Sequence, residues 1–143
     1  MKKLLSSLCL AALVVGLAGC ATPAAMSSKA EMPAKRVYFA EPADGATVSS
    51  PFKVKFAVEG MDLKPAGDEA PNSGHHHLLI NLDAMARGEA IPFTATHMHF
   101  GKAQTEAELK LEPGKYKLTM QFGNKDHASY GPAMSKTISV TVK

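Results

Sequence analysis

Hydrophobic and polar residues alternate along most of this chain. In "FKVKFAVE" (52–59), Phe52, Val54, Phe56 and Val58 share one face, and Lys53, Lys55 and Glu59 share the other. That two-residue period predicts a half-buried strand. "KYKLTMQF" (115–122) repeats it, with Tyr116, Leu118, Met120 and Phe122 set against Lys115, Lys117, Thr119 and Gln121. "TISVTV" (137–142) does so again through Ile138, Val140 and Val142. "RVYFA" (36–40) is β-branched and aromatic, and the turn-rich "EPADGATVSSP" follows it. "AELKL" (107–111) leads through Glu112-Pro113-Gly114 into the next strand. With the segments around His77 and His99, about seven strands are expected. "NLDAMARGE" (81–89) could form one short turn of helix, and no other stretch beyond the N-terminus carries a helical stripe. The expectation is an all-β fold, an immunoglobulin-like antiparallel β-sandwich.

The first twenty residues follow a different pattern. "MKKLLSSLCLAALVVGLAGC" has a basic start, an apolar run too short for a comfortable membrane span, and small residues before Cys20. The ending Leu17-Ala18-Gly19-Cys20 resembles the bacterial lipobox. That resemblance implies a lipoprotein signal peptide over 1–19, cleavage before Cys20 and lipidation of its sulfur. Ala21 in place of an aspartate points toward the outer membrane, with the protein facing the periplasm. Residues 20–35 are small, polar and proline-punctuated, a flexible linker from the lipidated cysteine to a single domain over 36–143.

Composition narrows the partners. The formal charge of +3 includes Lys2 and Lys3, which leave with the signal. A near-neutral remainder gives no reason to expect a nucleic-acid partner. Cys9 and Cys20 are the only cysteines, so the domain expected after processing has no disulfide. The partners expected are the membrane, through the N-terminal lipid, and another envelope protein.

The candidate chemistry is in the histidines. Five of the six fall in "GHHHLLIN" (74–81) and "THMHF" (96–100). By strand parity His76 goes inward with Leu78 and Ile80, as a backbone-bonded core imidazole, whereas His75 and His77 take the polar face. Met98 and Phe100 go inward, leaving His97 and His99 outward. Two His-x-His pairs on neighbouring strands could close on one transition metal, copper(II) or zinc, because same-face imidazoles suit these ions. The expected ligands are therefore His75, His77, His97 and His99. His127, read first as a loop residue, and Met134 are further candidates. Lys102, Gln104, Thr105 and Glu106 read as a polar turn. There is no Gly-x-Ser-x-Gly elbow, phosphate-binding glycine loop or His-Glu-x-x-His, so no enzyme is expected. Two alternatives stand beside the metal-binding module. One is a metal-free structural or protein-interaction module of the envelope. The other is a small metallo-hydrolase with Glu106 or Asp83 as base.

"VYFAEPADGATVSSPFKVKFAVEGM", "GHHHLLIN" and "HFGKAQTEAELKLEPGKYKLTMQF", with Gly131, Pro132 and Met134, resemble the bacterial domain-of-unknown-function family 4399. The resemblance covers about Val37 to Lys143 and implies no catalytic residues. In its pattern a glycine stands where this chain has Ala103, which implies that the position can dispense with a glycine-only conformation. A second histidine often follows the one matching His127, and its absence here counts against a ligand from that loop. "EPADGATV" is also similar to copper-resistance protein C and to bacterial immunoglobulin-like modules, a short likeness that supports a sandwich more than it supports copper.

Overall fold

The computed structural model describes residues 34–143. The expected signal peptide, Cys20 and the linker up to residue 33 lie outside the described residues. The described chain forms nine strands: β1 (Arg36–Glu41), β2 (Ala46–Val48), β3 (Phe52–Glu59), β4 (Asp62–Leu63), β5 (Ser73–Ile80), β6 (His97–Phe100), β7 (Glu106–Leu109), β8 (Gly114–Gly123) and β9 (Ser135–Val142). A single 3-10 turn, Pro132–Met134, precedes β9. The stretch 81–89 contains no helix.

The strands form two sheets, one in the order β1-β3-β7 and one in the order β2-β9-β8-β5-β4, with β6 also paired to β5. This is the all-β sandwich that the alternation predicts. Two of the pairings, β2 with β9 and β4 with β5, are parallel. Both involve strands of only two or three residues, too short to show an alternating pattern, which accounts for nine strands where about seven are expected.

The core lies between the sheets. Val37, Phe52, Val54 and Phe56 from the smaller sheet meet Leu78, Ile80, Leu118, Met120, Phe122, Ile138, Val140 and Val142 from the larger. These are the apolar members of each alternating pattern. Burial of such side chains stabilises a fold by roughly 1.5–3 kcal/mol each. The opposite parity is exposed on β3, where Lys53 pairs with Glu106 and Lys55 with Glu41.

β5 breaks this rule because all eight of its residues are buried. Its inner face joins the core. Its outer face, and that of β8 beside it, lies beneath two connections, one between β5 and β6 and one between β8 and the 3-10 turn. These connections bond to each other: Ile91 N–H donates to the His127 carbonyl at 2.8 Å, and Ser129 N–H donates to the Glu89 carbonyl at 2.8 Å. Thr119 and Gln121, on the polar parity of β8, are completely buried there. A second, smaller interior is thereby built on the back of the larger sheet.

Candidate metal centre

The second interior holds the histidines. His75 and His77 sit two apart on β5, project from the same face and are fully buried. β6 runs antiparallel to β5 with His99 opposite His77. On the other side of β5, β8 places Gly123 opposite His75. Gly123 has no side chain, and a Cβ there would lie 2.8 Å from His77 Cε1. The His77 ring occupies the space that a side chain at this position would take.

The loop after β8 delivers His127. Asn124 organises it, its Oδ1 accepting from Asp126 N–H at 2.9 Å and Ala128 N–H at 2.8 Å. His127 N–H donates to the Asn124 carbonyl at 3.0 Å. His127 itself adopts the left-handed conformation, φ 63°, which reverses the chain and turns the imidazole down onto β5 and β6.

His75, His77, His99 and His127 thus form one cluster, each offering a ring nitrogen, with these atoms all within 4.8 Å of one another. Nε2 of His99 and Nε2 of His127 are 3.1 Å apart. Two nitrogens bound at ~2.0–2.1 Å to one ion are ~2.9 Å apart at a right angle and ~3.3 Å apart at the tetrahedral angle. The observed spacing falls between these limits.

Burial sets the charge state. His75 is lowered to about 4, first by desolvation and then by the charges of His99 and His127. His77 is lowered to about 2, again chiefly by desolvation, with further contributions from its histidine neighbours. His99 is lowered by desolvation and by His127. The buried imidazoles are held neutral, the form that binds metals. Both ring nitrogens of His75 and of His77 lack a hydrogen-bond partner among the described residues. Leaving a buried polar group unsatisfied costs about 1–3 kcal/mol. A metal would answer one nitrogen on each ring.

Of the four expected histidines, the structure brings His75, His77 and His99 together and leaves His97 apart. His97 is on the outward parity, as expected, but antiparallel register places it opposite Leu79, one side-chain repeat beyond the cluster. With His77 opposite His99, reaching His75 from β6 would require a ligand at residue 101, which is a glycine. His97 Nδ1 instead bonds Thr94 Oγ1 at 2.8 Å. Met134 packs in the core between the sheets. His76 is buried as expected, its ring 5.5 Å from that of Phe56 and 5.2 Å from that of Phe122. The expected backbone bond is missing, since among the described residues neither of its nitrogens has a partner.

Ala103 has φ 58°, in the left-handed region that Asn72, Asn81 and His127 also adopt, so the position does not demand a glycine. Two further expectations change. Gln121, which alternation places on the polar face of its strand, is buried and fastens both covering connections. Its Oε1 accepts from Met85 N–H at 3.0 Å, and its Nε2 donates to the Gly131 carbonyl at 3.1 Å and the Met134 carbonyl at 3.3 Å. A turn follows β6, with Lys102 N–H donating to Gln104 Oε1 at 2.8 Å, whereas Glu106, expected in that turn, begins β7.

Residues 54–143 match the family described as Domain of unknown function (DUF4399). The chain belongs to this family. No curated protein and no solved structure matches it. Within this DUF4399 domain lie all four clustered histidines, and also Gly101 and Gly123, the glycines that make room for them. A Cβ at Gly101 would overlap the His99 ring, which folds back across that position.

Proposed function

We propose that this protein is a lipid-anchored module of the bacterial envelope that binds copper(II) or zinc through His75, His77, His99 and His127. The observation that carries the metal reading is the convergence of four imidazoles from three separate chain segments, two of them fully buried with unpartnered nitrogens. An all-nitrogen imidazole set suits these ions. The anchor and the periplasmic setting rest on the N-terminal pattern ending in Cys20, and a further envelope partner remains part of the same proposal.

Four protein ligands favour a binding or structural role over catalysis, because catalytic zinc sites typically use three protein ligands and keep a position for water. Glu106, one candidate base, is paired with Lys53 on the smaller sheet, and Asp83, the other, bonds Lys117. Neither belongs to the cluster.

The test is thermal unfolding of the purified protein, carrying no added histidine tag, with and without each metal. At one hundred times its dissociation constant, a ligand specific for the folded state adds ~2.7 kcal/mol. His99→Ala and His127→Ala should each lose most of that gain, while His97→Ala should keep it. An absence of stabilisation by both metals would leave the metal-free interaction module as the better reading. Equal loss in the His97 variant would sink the proposed ligand set.

A further inference from the structure

Phe93 is the one large hydrophobic residue exposed among the described residues, at 61%. Its ring centroid lies 4.9 Å from that of His99 and 4.9 Å from that of His127, edge-on to both. Among the described residues His75 and His77 are completely buried, whereas His99 and His127 are partly exposed, so the cluster meets solvent on their side. Phe93 stands on that side.

The strap carrying it is fastened at both ends. On one side Ile91 N–H is bonded to the backbone of His127, and the Ile91 side chain is buried against Gly123 beside His77. On the other, Thr94 is held by the His97 ring through its hydroxyl at 2.8 Å and by His97 N–H through its carbonyl at 3.1 Å. The histidine left out of the ligand set therefore secures the residue next to Phe93. An exposed phenylalanine gains little by burial where it stands, so its placement over two ligand rings calls for another explanation.

Resting on the metal reading above, we infer that Phe93 determines coordination number. It closes the outer face of the site to water and small anions, so that the bound ion is held by four imidazoles alone. Such a site favours ions content with four ligands, zinc and copper(II), over ions that require additional oxygen ligands. His97 and Thr94 act as positioning residues for this closure.

Cobalt(II) tests this directly, because four-coordinate cobalt absorbs visible light several-fold more strongly than five- or six-coordinate cobalt. The untagged protein and Phe93→Ala would each be loaded with cobalt(II) and then titrated with azide. Phe93 is mostly exposed, so removing it should leave the fold intact, which circular dichroism would verify. The expected result is an intense, azide-insensitive band for the native protein, against a several-fold weaker band that shifts with azide for the variant. Identical intense, azide-insensitive spectra would overturn the role of Phe93 while leaving the four-histidine site standing. A weak, azide-sensitive spectrum from the native protein would overturn it as well. Failure of the native protein to bind any metal would overturn the site itself, and the closure with it.

Discussion

At the scale of single residues, the candidate centre depends as much on missing side chains as on histidines. Gly101 and Gly123 leave the space that the His99 and His77 rings fill. Gly101→Ala should displace the His99 imidazole. The expected result is a loss of about 1–3 kcal/mol from overpacking, and metal affinity lowered about 10- to 100-fold, as when support around a ligand is removed. Denaturant unfolding and zinc titration of the same variant would check both. Unchanged zinc affinity would mean that His99 is not a ligand. Parity separated His76 from its neighbours correctly, because the sign of alternation follows from the apolar residues that come after it. The absence of a partner for its nitrogens could not be read that way, since hydrogen bonding depends on what the opposite sheet presents, here Phe56 and Phe122.

At the scale of elements, the long alternating strands β3, β8 and β9 were legible because their patterns report one buried face each. The second interior was not. Thr119 and Gln121 look like solvent-facing residues in the sequence, and only the connections folding over β8 bury them. Register was the other hidden quantity. Both His-x-His pairs were visible, but pairing His77 with His99 rather than with His97 decides which imidazoles meet. His127 came from a left-handed turn, whose one available signal was the Gly123-Asn124 pair announcing a reversal. Gln121→Leu tests how the covering connections are held. It removes hydrogen bonds to Met85, Gly131 and Met134 together. We expect a loss of about 2–4 kcal/mol and weaker zinc binding, because the loop carrying His127 ends at Gly131. A variant as stable as the native protein in urea, with full zinc affinity, would show that the connections need no such fastening.

At the scale of the whole molecule, burying three consecutive histidines makes stability depend on pH in one direction. In the unfolded chain each titrates near 6.5, whereas the folded values are about 4 for His75 and His76 and about 2 for His77. Above pH ~6.5 both states are neutral at these sites, and they add no slope. As pH falls from there toward 4, the unfolded chain takes up protons that the fold excludes. Stability then declines, by up to ~1.4 kcal/mol per pH unit for each group. In EDTA, the urea midpoint should therefore be clearly lower at pH 5 than at pH 7.5, and equal midpoints would contradict the buried neutral state. The placement of His99 has one more consequence. β5 carries the apolar run Leu78-Leu79-Ile80, and among the described residues its outer edge is paired by the short strands β4 and β6 and by Thr96. A strand edge of that composition, once bared, is a template for pairing with other chains. An ion joining His99 to His75 and His77 would clasp β6 onto that edge, so that metal occupancy would also guard the protein against aggregation.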